Sequence, residues 1–274
     1  MKIAVVGAGW LGLPLALSLQ KRGYGVVATR RSVAGVAELL DMGLNGLQFE
    51  LARDLQASQF DNIFNSDVLF LNIPVGRNSP HKAGFVEAVE ALLKHAKQRN
   101  IQHVLLVSTT SVYGNASGKV NEHSSPHPET ESAKANLAIE LLVKQYFAEQ
   151  ASIIRLAGLV GDERHPVKFL AGKTSLPNAK QVVNLIHQQD IIKAIHVILL
   201  RQLWGETFLL CATEYPSREE YYTWAAKKLD LPAPQFLPQE DSQQGKSIDA
   251  SQSLAKLGIQ LTYSSPYQML PSDG

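Results

Sequence analysis

The sequence predicts an α/β fold, a doubly wound parallel sheet with a smaller C-terminal cap, and three observations predict it. The chain opens on an apolar run, Ile3-Ala4-Val5-Val6, that is too short for a helix. That run meets Gly7-Ala8-Gly9-Trp10-Leu11-Gly12 and passes into Leu13-Pro14-Leu15-Ala16-Leu17-Ser18-Leu19, which reads as strand, tight turn and helix. Short apolar runs and helix-length amphipathic stretches then alternate through the first two-thirds of the chain, the rhythm of a parallel sheet with right-handed crossovers.

The elements follow in order. Gly25-Val26-Val27-Ala28-Thr29 reads as a second strand, followed by a helix around Ala34 to Met42. Leu47 to Leu51 reads as a short third strand, and Val68-Leu69-Phe70-Leu71-Asn72-Ile73 as a buried fourth ended by Pro74. Phe85 to Arg99 carries Val86, Val89, Leu92 and Leu93 near a 3.6 period and reads as an amphipathic helix. His103 to Val107 is a fifth strand, and Ser132 to Glu149 a helix with Leu137, Leu141 and Val143 inside. Ser152-Ile153-Ile154-Arg155-Leu156 is a sixth strand. After Gly158 the rhythm shortens, with Val182 to Ile186 and Thr207 to Leu210 as strands, Asp190 to Leu200 and Ser217 to Leu229 as helices, and loop marked by Pro232, Pro234 and Pro238. The expected division is a dinucleotide-binding domain over 1–158 with returning segments about 184–212, and a substrate-side cap over 159–183 and 213–274.

The glycines say what the first turn is for. In a Gly-x-Gly-x-x-Gly loop between strand and helix, Gly7 allows the turn, Gly9 lets the backbone approach a pyrophosphate, and Gly12 lets the helix pack close on the strand. The helix N-terminus adds free N–H groups and the positive end of its dipole. With Trp10 and Leu11 these residues form an expected dinucleotide site of Rossmann type. In a site selective for NAD, an Asp or Glu closes the second strand and holds the ribose 2′-hydroxyl. Here that end reads Ala28-Thr29-Arg30-Arg31. A guanidinium holds a 2′-phosphate by a forked pair of hydrogen bonds, and Thr29 can add a hydroxyl. NADP(H) is therefore expected in preference to NAD(H).

Composition bounds the alternatives. The chain has 274 residues, 45% of them hydrophobic and 19% charged, with a formal net charge of +1. Those are globular values, long enough for a sizeable core. The near-neutral balance argues against a nucleic-acid or membrane partner held by bulk electrostatics, and no apolar stretch approaches the length of a membrane span. The single cysteine, Cys211, lies in an apolar run and reads as a core residue; a reducing, cytoplasmic location is expected. The eight histidines form no convincing metal set: His123 and His127 lie four apart, but Ser124-Ser125-Pro126 blocks a helix between them.

The fifth strand runs into Ser108-Thr109-Thr110-Ser111-Val112-Tyr113-Gly114, and a polar loop leads to Thr130-Glu131-Ser132-Ala133-Lys134 at the start of a helix. Further on come Ile154-Arg155-Leu156-Ala157-Gly158-Leu159-Val160-Gly161, Asn184-Leu185-Ile186-His187-Gln188-Gln189-Asp190 and Ser253-Leu254-Ala255-Lys256-Leu257-Gly258. These segments, spanning nearly the whole chain, resemble the extended short-chain dehydrogenase/reductase superfamily, the NAD-dependent epimerase/dehydratase group. The resemblance implies that Thr109 aligns with the Ser/Thr that hydrogen-bonds a substrate carbonyl or hydroxyl. It implies that Lys134 aligns with the Lys that holds the nicotinamide ribose. It places Ser108 and Asn72-Ile73-Pro74 along the cofactor, and Asp54 near the adenine.

Two departures stand out. The group's glycine loop has one more residue before its second glycine, and the group's catalytic Tyr, four before the Lys, is here Thr130. A threonine hydroxyl cannot be deprotonated usefully near neutral pH. Tyr113 is the nearest replacement phenol, although a tyrosine there also reads as packing; Glu131 and His127 rank below it. Two functions stay open. One is an NADP(H)-dependent oxidoreductase or epimerase, passing a hydride between the nicotinamide and a substrate carbon beside Thr109, with a nucleotide-sugar or small carbonyl compound as substrate. The other is a non-catalytic NADP(H)-binding redox sensor or partner-binding protein. A homodimer through the helices from Phe85 and Ser132 is expected by analogy with the group.

Overall fold

The computed structural model describes residues 1–51, 61–75, 84–161, 164–238 and 245–271. The chain forms two compact units. The first comprises Met1–Thr109, Thr130–Ile154 and Arg201–Thr207, and the second Thr110–Glu129, Arg155–Leu200 and Phe208–Gly274.

The first unit holds β1 (Lys2–Val6), α1 (Gly12–Lys21), β2 (Gly25–Arg30), α2 (Val33–Asp41), β3 (Asn45–Gln48), α3 (Asp61–Phe64), β4 (Val68–Leu71), α4 (Phe85–Gln98), β5 (His103–Thr109) and α5 (Glu131–Phe147). With β7 (Ala151–Leu156) and β10 (Thr207–Leu210) its strands make a seven-stranded parallel sheet in the order β10-β7-β5-β4-β1-β2-β3. The order reverses between β1 and β4, whose partners run from Ile3 opposite Val68 to Val6 opposite Leu71. In open α/β sheets ligands bind beyond the carboxyl ends of strands at such a reversal. β4 is buried along its whole length, as a central parallel strand covered on both faces must be. One core cluster joins Val6, Leu69, Leu71, Leu92, Leu93, Val104, Val143 and Ile153.

The second unit is built of shorter pieces. They are β6 (Gly118–Val120), β8 (Gly158–Val160), α6 (Val167–Leu170), β9 (Leu185–His187), α7 (Gln188–Arg201), α8 (Arg218–Lys228), β11 (Lys246–Ile248) and α9 (Ser251–Leu257). β6 pairs with β11 and β8 with β9, each pair parallel. Their core is aromatic, with Tyr221, Tyr222, Trp224 and Tyr267 ring against ring.

Three readings of the sequence are corrected. The third strand is Asn45–Gln48 rather than 47–51, because its ladder with β2 runs from Val27–Asn45 to Arg30–Gln48. The strand expected over 182–186 is confined to Leu185–His187; Val182 makes only an isolated bridge to Ser217. Leu141 is 61% exposed rather than inside. The buried residues of α5 are Ala133, Ile139, Glu140, Val143 and Phe147, and at 3.6 residues per turn Leu141 falls on the opposite side.

Candidate active site

The glycine loop lies at the reversal between β1 and β4. Gly7 has φ +99°, and a Cβ there would overlap the carbonyl of Asn72. A Cβ on Gly12 would overlap the carbonyl of Gly7. Gly9 differs: a Cβ there would meet nothing within 4 Å. Gly7 and Gly12 are thus demanded by the protein's own backbone, whereas Gly9 leaves open space above the turn. The loop is pinned from both sides. The Gly7 N–H donates to Thr29 Oγ1 at 3.0 Å and the Ala8 N–H to the Thr29 carbonyl at 2.9 Å. Asn72 Nδ2 donates to the Gly7 carbonyl at 3.0 Å, and the Asn72 N–H to Val6 at 2.9 Å. Leu11, buried, caps α1 with no side-chain acceptor, and the first turn carries no acidic residue. The positive end of the helix is left for an anion. A pyrophosphate fits these residues: donors, dipole and the gap above Gly9 coincide. Trp10 and Ile73 are half-buried, Ile73 against the core, and Pro74 is exposed.

At the end of β2 the residues divide. Thr29 is buried and its hydroxyl serves the loop rather than the surface. Arg30 lies along α2, its guanidinium 3.7 Å from the Glu38 carboxylate and its side chain 27% exposed. The missing Cβ of Gly35 makes room for the Arg30 stem, since a Cβ there would sit 3.1 Å from Arg30 Cβ. Arg30 Nε is buried with no partner among the described residues. Arg31 is exposed, with its carbonyl accepting from Gln48 Nε2 at 2.9 Å. Asp54 lies outside the described residues.

At the end of β5, the buried Ser108 donates its hydroxyl to Glu140 Oε1 at 2.5 Å, and Thr109 follows half-buried as the last strand residue. Glu140 is 1% exposed on α5. Thr130, four residues before Lys134, is the N-cap of α5: its Oγ1 accepts from the Ala133 N–H at 3.2 Å. Lys134 stands more than half exposed and pairs with Glu131, three residues back, at 2.8 Å.

The second unit places Tyr113 in its interior. The phenol, 1% exposed, donates to the Asn121 carbonyl at 3.0 Å and accepts from Arg155 Nη1 at 2.7 Å; the guanidinium also lies 5.0 Å from the ring centre. His165 is buried too, and burial with the charge of Lys168 pushes its pKa down to about 4. Four polar residues that the sequence does not mark as site residues organise the two units. Glu140 underlies Ser108 in the first. In the second, Asn184 donates to the Lys246 carbonyl and accepts from the Ile248 N–H, each at 2.9 Å, which fixes β11. Lys246 donates to the Gly114 carbonyl; burial pushes its pKa down against the opposing pull of Glu129. The buried Asp190 accepts from the N–H groups of Thr262 at 2.7 Å and Tyr263 at 2.9 Å. A short-range signal existed for Asn184 and Asp190 alone, within the segment that resembles the extended reductases. Cys211 is buried, with a thiol that burial pushes far above its ordinary pKa. Among the described residues no three His, Cys, Asp or Glu side chains gather as metal ligands, and no helix is long and apolar enough to cross a membrane.

Comparison with known proteins accords with this arrangement. The chain is 35% identical to Protein YeeZ of Escherichia coli strain K12 over 270 residues, 98% of each chain. It is 27% identical to a Bacillus subtilis protein described as an uncharacterized UDP-glucose epimerase, YtcB, over 79% of this chain and 78% of that one. The solved structure of UDP-glucuronic acid 4-epimerase from Bacillus cereus in complex with NAD superposes with a TM-score of 0.80 at 20% identity, covering 98% of this chain and 97% of that one. The sequence model of the NAD dependent epimerase/dehydratase family matches residues 3–211, and the chain belongs to that family.

Proposed function

We propose that the protein is an NADP(H)-binding oxidoreductase of epimerase/dehydratase type, acting on a nucleotide-sugar or a small carbonyl compound. The observation that carries the reading is the open space over Gly9 at an uncapped, acid-free helix N-terminus, with the loop locked by Thr29 and Asn72. Family membership and the nucleotide-sugar epimerases among the similar proteins support the substrate class. The preference for NADP(H) rests on Arg30 and Arg31 with no acid closing β2; among the described residues Arg30 Nε has no partner and its guanidinium lies 3.7 Å from Glu38. Bound nicotinamide would supply hydride transfer. Thr109, the last residue of β5, would offer its hydroxyl to the substrate oxygen.

One observation favours a second reading, a non-catalytic NADP(H) sensor: the Thr130 hydroxyl is occupied as a helix cap, and the phenol of α5, Tyr146, lies in its last turn and donates to Glu90 at 2.8 Å. Titration with NADPH and NADH, followed by nicotinamide fluorescence, tests the cofactor reading. Tight NADPH and weak NADH binding is the expected result, and binding of neither refutes both readings. Turnover of any member of a nucleotide-sugar and carbonyl panel then decides for the enzyme.

A further inference from the structure

The helical phase of α5 decides which of its polar side chains can reach a cofactor lying along β5. α5 packs on β5 through one face. With about 3.6 residues per turn, Ala133, Ile139, Glu140, Val143 and Phe147 define that face, and all are buried. Asn136 falls in the middle of the same arc, three residues after Ala133 and four before Glu140. It is half-buried, as a residue near the helix start on the inward face should be. Lys134 falls on the far side with the exposed Leu141, and its ammonium is drawn to Glu131 rather than inward.

The chemistry of Asn136 suits a diol. Its Nδ2 donates to the Ser132 carbonyl at 2.7 Å, which fixes the amide so that Nδ2 is used and Oδ1 is left as an acceptor. Oδ1 has no donor among the described residues. Beside it in the same arc, Glu140 Oε1 accepts a hydrogen bond from the Ser108 hydroxyl at 2.5 Å, leaving the lone pairs of Ser108 Oγ as acceptors. Two acceptors without charge, on one side of the β5–α5 layer, match the two hydroxyl donors of a ribose.

We propose that Asn136 rather than Lys134 holds the nicotinamide ribose, with Ser108, oriented by Glu140, as its companion. The assignment rests on the dinucleotide reading above. It also means that the inward face of α5 brings an amide where the related reductases bring a cation, so no positive charge from this helix assists proton transfer.

The test is calorimetric titration of wild type, Asn136→Ala and Lys134→Ala. The ligands are the nicotinamide dinucleotide that wild type binds more tightly and its adenosine half (adenosine 2′,5′-bisphosphate for NADPH, ADP for NADH). Loss of one hydrogen bond to a bound hydroxyl weakens binding about tenfold. The expected result is that loss for Asn136→Ala with the dinucleotide only, the adenosine half binding as to wild type, and Lys134→Ala unchanged within about twofold. Alanine is the best helix former, so Asn136→Ala keeps α5 intact. A tenfold loss in Lys134→Ala with Asn136→Ala unchanged overturns the assignment. So does an equal loss for both ligands in Asn136→Ala, which marks a structural role, and so does no loss in either variant. Failure of wild type to bind either dinucleotide is a separate outcome: it overturns the cofactor reading and the assignment with it.

Discussion

The buried His165 makes the second unit sensitive to mild acid. Its Nδ1 accepts the Val167 N–H at 3.2 Å, so the ring proton sits on Nε2, which donates to Tyr221 Oη at 2.8 Å; Tyr221 in turn donates to the Pro266 carbonyl at 3.1 Å. A second proton would have to go on Nδ1, against an N–H already pointing at it. Burial, with the charge of Lys168, lowers the folded pKa from 6.5 to about 4. The unfolded chain therefore binds more protons between those values, so stability is full above pH 6.5 and falls as pH drops towards 4. The whole difference corresponds to about 3 kcal/mol, of which about 2 kcal/mol is lost by pH 5. Urea unfolding at pH 8, 6 and 5 measures it. His165→Gln should start less stable at pH 8 and lose about 2 kcal/mol less than wild type on going to pH 5. His103, whose pKa burial also lowers, adds a loss of the same sign that this variant retains. Equal pH slopes in wild type and His165→Gln would refute the argument.

Other outcomes follow from the same geometry. Gly9→Val fills the open space over the loop and should weaken NADPH binding at least tenfold by fluorescence titration while leaving the melting temperature nearly unchanged. Arg30→Ser should weaken NADPH binding about tenfold and leave NADH binding alone, because only the 2′-phosphate needs the guanidinium. Thr130→Ala should cost about 1 kcal/mol in chemical denaturation through loss of the α5 cap. Thr130→Tyr loses the same cap and should produce no gain in carbonyl reductase activity over wild type in a carbonyl panel assay. Ala148, held at φ 43° and ψ −121° where α5 ends, should gain about 1 kcal/mol on replacement by glycine, read as a rise in urea midpoint.

The parts of this fold that declared themselves in the sequence are those that leave a contiguous residue pattern. Gly7 and Gly12 are required by backbone a few residues away or by the strand beside them, and a strand–glycine–helix pattern carries that requirement openly. The run Val68–Leu71 is apolar throughout because both faces of β4 are covered. What stayed hidden depends on phase and distance. Leu141 looks like core by hydrophobicity, yet the phase set by Ile139, Val143 and Phe147 turns it outward, and the same phase turns Glu140 inward. A glutamate in a helix pattern reads as surface until the Ser108 hydroxyl is found above it. β6, β8 and β11 have three residues each, too few to show a period, and β11 is held by Asn184 from a distant part of the chain. That a threonine stands four residues before Lys134 was plain in the sequence; that its hydroxyl caps α5 was not.

Asp190 has a consequence for how the protein is made. Its carboxylate, fully buried, takes its two hydrogen bonds from backbone 72 and 73 residues further on, where Tyr263 also stacks on His187. Until that late stretch of chain arrives, the carboxylate faces an apolar interior without a donor, an arrangement costing several kcal/mol. Glycine-loop, β1, α1 and β2 can assemble from neighbouring sequence as they leave the ribosome, whereas the second unit cannot close until Thr262 and Tyr263 have been made. During synthesis, then, its unfinished aromatic interior is the surface that chaperones would meet.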